Sequence, residues 1–253
     1  MSIQIIPRSE QAYGAFNGGE ITENKPLGFP REGGTLRPYS SLFYWAHARA
    51  QVDSEIGLHP HRGFEILSFV LKGSIRHFDT KMNGWQPLHE GDAQVIRAGS
   101  GISHAEFMEQ GSEMFQIWFD PNLNETMNFE PSYSDYKSEV FPTVERQGYR
   151  EKIFVGDGSP FQLHTAGISI RELSFNAGTH SLKLDPDSTY SIYQIAGRSR
   201  LEGSPWEATD FALINEASQM GLEVDDTAQL FVLQSPRTVD YPTYAQIMQR
   251  RMV

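Results

Sequence analysis

Gly57-Leu58-His59-Pro60-His61-Arg62-Gly63-Phe64-Glu65 is the stretch on which the reading of this chain turns. Side chains two apart on a strand share a face, so His59 and His61 can grip one ion together. On the same alternation Gly63, Glu65, Leu67, Phe69 and Leu71 continue that face. The imidazoles would then sit at one end of an apolar interior, where an unligated cation is costly. About 40 residues on, the arrangement recurs: Ile102, His104, Glu106 and Met108 share one face. A lone His-x-His is more often two solvated or hydrogen-bonded histidines. Two such pairs, flanked by glycine turns that let strands lie side by side, point instead to a metal site. Three neutral imidazoles and one carboxylate suit a first-row divalent ion. In octahedral coordination, four protein ligands leave two positions for water, dioxygen or a chelating substrate.

Spacing leaves one ambiguity. Glu65 has the same strand parity as His61, and alternation alone does not rank it against Glu106. A straight strand carries Glu65 roughly 13 Å beyond His61 at ~3.3 Å per residue, and a bend at Gly63 could bring it back. Its alternative role is a buried carboxylate paired with Arg62 or Arg76. His77 and His89 lie near hairpin turns and read as solvated, and His47 and His164 have no local partner.

Working outward, short runs rich in apolar, β-branched or aromatic residues cover Gly63 to Leu71, Ser74 to Asp79, Ala93 to Arg97, Ile102 to Met108 and Met114 to Asp120. Lys72-Gly73, Asn83-Gly84, Glu90-Gly91-Asp92 and Gly99-Ser100-Gly101 separate them. Asn-Gly between strand-like runs is a strong hairpin signal, and strands at this spacing argue for a sandwich or barrel. Pro121 to Pro142 is polar and reads as a linker or long loop. Strand texture returns after Gln147 and lasts to about Ser235, and Pro242 to Met252 is the one C-terminal helix expected.

The second half echoes the first. Gly57-Leu58-His59 is matched by Gly178-Thr179-His180, Lys72 to Arg76 by Ala196 to Arg200, and Asp92 to Ile96 by Asp210 to Ile214. The common order, with offsets of 118 to 124 residues, suggests a duplicated barrel. In the second copy Leu182, Leu222 and Val224 stand where His61, His104 and Glu106 stand in the first, so only the first is expected to hold metal. The expected architecture is all-β: two antiparallel β-barrel or jelly-roll domains with a short C-terminal helix. The expected division is 1–135 for the metal-binding barrel and 136–253 for a metal-free one.

Composition narrows the function. Of 253 residues, 22 are Gly and 14 Pro, and 12% are aromatic, which suits short strands and tight turns. The net charge of -11 gives no advantage on a phosphate backbone, so direct nucleic-acid binding is not expected. There is no Cys, which excludes disulfides, thiolate metal sites and Cys nucleophiles. No apolar run approaches the ~20 residues of a membrane span. Met1 to Glu10 lacks a cationic start followed by an apolar stretch, so no signal peptide is expected and a cytoplasmic location is.

The string His59-Pro60-His61-Arg62-Gly63-Phe64-Glu65, followed by Gly73, Gly91-Asp92 and Ala98-Gly99-x-Gly101-Ile102-x-His104-x-Glu106, resembles the pirin family of the cupin superfamily. Phe115-Gln116-Ile117-Trp118 resembles the strand that follows. The close resemblance spans about residues 55–120, and the second half matches only in texture. The resemblance implies a bicupin with one metal ion in the N-terminal barrel, ligated by His59, His61, His104 and Glu106, and it leaves Glu65 outside the coordination sphere. It implies Fe(II) foremost, with Mn, Ni, Co, Cu or Zn as other occupants. Two departures, Leu58 ahead of the first His and Ser100 in the glycine turn, lie near the mouth and bear on substrate choice.

Two functions follow. One is a quercetin 2,3-dioxygenase-type oxygenase, cleaving a flavonol or similar chelating aromatic with dioxygen. There the metal is Lewis acid and template, and Glu106, or else Glu65, accepts the substrate's hydroxyl proton. The other is a non-enzymatic metal- or redox-sensing regulator acting through a protein partner, as animal members of the family act as nuclear transcription cofactors. Fold alone does not choose; an open apolar pocket beside the ion favours the enzyme.

Overall fold

The computed structural model describes residues 2–29 and 31–251, the side chain of Arg251 excepted. The chain begins with β1 (Ser2–Ile6), β2 (Ala12–Phe16), β3 (Ile21–Leu27), β4 (Leu42–Ala50), β5 (Ser54–His61) and β6 (Glu65–Lys72). It continues through β7 (Ser74–Asp79), β8 (Gly84–His89), β9 (Ala93–Arg97), β10 (Ile102–Met108), β11 (Glu113–Phe119), a one-turn helix α1 (Leu123–Thr126) and β12 (Ser132–Tyr136). β13 (Thr143–Arg146), β14 (Tyr149–Val155), β15 (Ser169–Lys183) and β16 (Ser188–Leu201) follow. The chain then forms β17 (Ser204–Glu207), β18 (Phe211–Asn215), β19 (Gln219–Pro236) and α2 (Tyr244–Arg251). All strand pairings are antiparallel. The architecture is the expected pair of barrels with a C-terminal helix.

The first barrel comprises residues 11–139, 163–166 and 239 onward. A seven-stranded sheet runs β12-β9-β6-β11-β4-β3-β2, and a four-stranded sheet runs β5-β10-β7-β8. Their inner faces share one core: Ile21, Ala48, Val70 and Met114 from the larger sheet pack with Ile56, Ile75, Leu88 and Met108 from the smaller. Period-two alternation of inward apolar residues drives this packing. Asn83, with φ of 53°, turns the β7–β8 hairpin, as its Asn-Gly sequence anticipates.

The second barrel comprises residues 1–10, 140–162 and 167–238. It is one eight-stranded sheet in the order β1-β18-β16-β19-β15-β14-β13, with β17 added on β16. The long strands β15, β16 and β19 curl around Leu173, Ile192, Leu201, Trp206, Ile214, Met220, Leu222 and Leu230. Curling a single sheet around its apolar face buries that face without a second layer.

The division between barrels differs from a cut at 135/136, most of all at the two ends of the chain. β1 pairs with β18, Ser2 opposite Asn215 and Ile6 opposite Phe211, so the chain's first strand covers an edge of the second barrel that would otherwise be unpaired. At the other end, the Tyr241 hydroxyl donates to the Asp120 carbonyl at 2.8 Å, and Tyr244 packs on Phe43 and Phe64 of the first barrel. The polar stretch Pro121–Pro142 is not a bare linker either: it holds α1, and β12 pairs with β9. Among the described residues no helix is long and apolar enough to cross a membrane.

α2 starts with a capping box. The Gln246 N–H donates to Thr243 Oγ1 at 3.3 Å, and the Thr243 N–H donates to Gln246 Oε1 at 3.2 Å. The Asp120 carboxylate accepts the Tyr244 N–H. Thr243→Ala is therefore expected to cost about 1 kcal/mol, read as a lower urea midpoint with an unchanged m value.

Candidate metal centre

β5 and β10 are neighbours, with His61 opposite Ile102 and His59 opposite His104. The register then slips: Glu106 stands opposite Ile56, which gives β5 one residue more than β10 at Gly57–Leu58. This bulge reverses the parity of β5. Ile56 joins the core below the slip, and His59 and His61 turn inward above it. One ring nitrogen from each of His59, His61 and His104 lies within 4.8 Å of the others. The ring centroids are 4.4 to 4.8 Å apart.

These imidazoles are prepared as ligands. His59 Nδ1 lies 2.7 Å from the Gly57 carbonyl. A carbonyl only accepts, so Nδ1 carries the proton and Nε2 keeps its lone pair. His61 Nε2 and both ring nitrogens of His104 are buried without a hydrogen-bond partner. Such atoms are costly unless something fills their lone pairs, and the trio fits a divalent ion. Burial first, then the neighbouring His59, lowers the His61 pKa to about 4. Burial, with His59, His61 and His77 nearby, holds His104 well below the usual histidine range. Both rings are neutral near pH 7, as metal ligation requires.

Glu106 is buried on β10, two residues past His104, but its carboxylate is not part of the imidazole group. It accepts hydrogen bonds from Gln116 Nε2 at 2.6 Å, Ser68 Oγ at 3.1 Å and Gln94 Nε2 at 3.4 Å. Burial lifts its pKa to about 7, and the Ser68 and Gln116 bonds limit the rise. Gln116 Oε1 accepts from Trp118 Nε1 at 3.0 Å, which fixes the amide's orientation. The Trp118 ring lies 4.8 Å from His61.

Glu65 is elsewhere. The chain breaks at Gly63, with φ of 82°, and β6 begins in the other sheet. The face holding His59 and His61 thus does not run on through Glu65, Leu67 and Phe69. Ser68, of the opposite parity, is the residue that reaches Glu106. Glu65 is buried and accepts the His164 and Thr165 N–H groups, each at 2.7 Å, and the Thr165 hydroxyl at 2.6 Å. Its cation is Arg97 at 3.7 Å, rather than Arg62 or Arg76.

The remaining histidines divide. His77 is fully buried, not solvated: its Nε2 is 3.0 Å from Asp79 Oδ2, and its ring stacks on Tyr133 at 4.3 Å. It stands opposite Glu106 on β7 and 5.7 Å from the His104 ring. The inward alternation Ile75, His77, Asp79 was the available signal. His47 is buried between Glu113 and Arg49, while His89 and His164 are exposed. His180 Nε2 donates to the Asn176 carbonyl at 2.9 Å.

A cavity of about 440 Å³ adjoins the site, with His59 and Glu106 in its wall and Phe29, Tyr44, Ile56 and Trp118 as its apolar surface. Phe29 stacks on Tyr44 at 4.9 Å and meets Trp118 edge-on at 5.5 Å. Glu23, Lys25 and Glu32 line the cavity too, the ammonium held at 3.0 and 2.6 Å from the two carboxylates. The sequence pairs gave no sign of this charged part of the wall, because it comes from β3 and the loop that follows.

The lowered His61 and His104 pKa values set a pH dependence. In the metal-free protein the folded state binds fewer protons than the unfolded one between the two pKa values. The stability tied to neutral His61 is therefore present above about pH 6.5 and lost as pH falls through about 4. Urea midpoints measured from pH 7 to pH 4 should fall, and His61→Ala should remove on the order of 2 kcal/mol of that fall.

The family model described as Pirin matches residues 34–119. Pirin-1 of Arabidopsis thaliana is 33% identical over 152 residues, 58% of this chain and 52% of that protein. A Pseudomonas aeruginosa protein provisionally named a quercetin 2,3-dioxygenase is 34% identical over 200 residues, 74% of this chain and 83% of its own. The chain spans a third to about half the length of the first curated relatives it matches. Among solved structures, the bacterial pirin YhhW of Escherichia coli in complex with nickel(II) superposes with a TM-score of 0.77 at 19% identity, covering 94% of this chain and all of that one, a likeness of fold. The imidazole trio, the matched motif region and these relatives agree, and this chain belongs to the pirin family of the cupin superfamily.

Proposed function

We propose that His59, His61, His104 and Glu106 hold one divalent first-row metal, Fe(II) foremost, and that the chain is a quercetin 2,3-dioxygenase-type oxygenase. The observation that carries this is the trio of imidazoles, with His61 and His104 nitrogens buried and unpartnered, adjoining an aromatic cavity whose wall holds His59 and Glu106. A bound metal supplies Lewis acidity and a template for two adjacent oxygens. The substrate is a flavonol or a similar chelating aromatic, and dioxygen is the co-substrate. Phe29, Tyr44 and Trp118 flank the substrate's rings and exclude water. Glu106, the buried carboxylate beside the imidazoles, would accept the substrate's hydroxyl proton. Gln116 and Ser68 orient that carboxylate. A pirin-family relative named for this reaction, alike over most of its length, adds support. The absence of Cys suits a reducing cytosol, where the protein would work.

Anaerobic purification with Fe(II) reconstitution, elemental analysis and oxygen uptake against a panel of flavonols and catechols tests the reading. One metal per chain and uptake with a chelating flavonol are expected. A fully loaded protein that consumes no oxygen with any of them would point to the regulatory role. His61→Ala should lower metal affinity by more than about 100-fold, while His180→Ala should leave it unchanged. Glu106→Gln should weaken metal binding and abolish oxygen uptake. Glu65→Gln should retain the metal but lose about 1.5–3 kcal/mol of stability, since it breaks charge-assisted bonds to two backbone N–H groups.

A further inference from the structure

The interior of the second barrel is also hollow. A cavity of about 560 Å³ opens over the inner face of the β16-β19-β15-β14-β13 run, within the size range of small-molecule sites. Its floor is the barrel core, Leu173, Ile192, Met220 and Val232. Leu182, two residues past His180, is part of its lining.

The chemistry above that floor is not what core packing alone requires. Inward positions on a curled sheet call for apolar side chains. Yet Arg171 stands directly opposite Val232, which stands opposite Ile192, and all three line the cavity. On β14, Glu151 lines it as well and is buried, opposite Leu173. Glu151 fixes two guanidinium groups: its Oε1 accepts from Arg171 Nη1 at 2.9 Å, and its Oε2 from Arg146 Nε at 3.0 Å. The Ser169 hydroxyl accepts from Arg171 Nε at 3.1 Å. Arg171 is thereby held through Nε and Nη1, and its Nη2 has no partner among the described residues. One carboxylate is shared by two guanidinium groups, so one positive charge is left uncompensated. Lys183 adds a third cation and Asp185, held in its own turn by the Asp187 N–H and the Ser188 hydroxyl, a second carboxylate, so the lining keeps a net charge of +1. In a chain of net charge -11, this is a cavity of net positive lining.

We propose that the second barrel is a separate binding site for a small amphiphilic carboxylate. The apolar tail lies on Leu173, Ile192, Met220 and Val232, and the carboxylate meets the held Arg171 and Lys183. A guanidinium already fixed by Glu151 and Ser169 loses little freedom on binding, and its planar edge matches a carboxylate. This site needs no metal and does not depend on the reaction proposed for the first barrel.

The test uses the full, metal-loaded chain with 1-anilinonaphthalene-8-sulfonate as a fluorescent probe, displaced by decanoate or by decanol. Decanoate should displace the probe and decanol should not. Arg171→Met should weaken decanoate at least tenfold, which is the loss of one charge-assisted hydrogen bond. Because Arg171 also supports buried Glu151, the exposed Lys183→Met variant gives a second reading without that burden, and a loss of about threefold or more is expected. His61→Ala, which empties the first barrel, should bind decanoate as the parent does. Equal displacement by decanol, unchanged affinity in folded Arg171→Met and Lys183→Met, or loss of binding in His61→Ala would each overturn the proposal.

Discussion

The register between β5 and β10 is the constraint on which the first barrel depends. His59 faces His104 across the pair, and the extra residue at Gly57–Leu58 lets Ile56 and His59, three apart, both point inward. A regular strand could serve only one of them. It would place Ile56 in the core and turn the imidazoles to solvent, or gather the imidazoles and expel Ile56. The bulge resolves that conflict, and the exposed Leu58 beside it is the residue set aside by the slip. Local irregularity at a site is the usual place for a sheet to give up pairing in return for aim.

The His59/His61 and His104/Glu106 pairs were legible in the sequence because each rests on period-two alternation within one strand, the most robust rule a strand obeys. The duplicated barrel was legible from turn residues in a common order. The rest depends on contacts between strands. Whether parity survives Gly63 depends on a left-handed φ, and it does not survive: Glu65 falls on one face, and Ser68 takes its place facing the site. The burial of His77 follows from β7 lying beside β10, which a hairpin turn nearby does not reveal. The three donors on Glu106 come from β6, β9 and β11, strands of the opposite sheet, and the aromatic wall comes from β4, β11 and the loop after β3.

The two barrels show how one architecture accepts different interiors. In the first, inward polar positions carry imidazoles that burial keeps neutral, so their presence in a core costs little charge desolvation. In the second, the positions that the sequence aligns with His61, His104 and Glu106 are Leu182, Leu222 and Val224, and the last two are core residues. The polar residues there are permanently charged arginines. These are sustained by a buried carboxylate and by partial exposure at the cavity mouth. A neutral lone pair invites a cation, and a fixed cation invites an anion.

The same reasoning distinguishes the buried carboxylates. Glu151 has Arg146 and Arg171, Glu65 has Arg97, and Glu23 has Lys25. Each brings a cation that offsets its desolvation. Glu106 is more deeply enclosed than most, yet it is held by a hydroxyl and two amides, all neutral. Neutral donors satisfy its lone pairs but leave its charge uncompensated, and its pKa rises to about 7 as a result. A buried carboxylate without a cation either takes up a proton or awaits a positive charge from outside the polypeptide. His104 stands two residues away on the same strand face, with both ring nitrogens unpartnered. A divalent ion between them would relieve both costs at once. On the proposed reading this favours Glu106, despite its present bonds to Gln116 and Ser68, as fourth ligand over Glu65, whose charge Arg97 already balances.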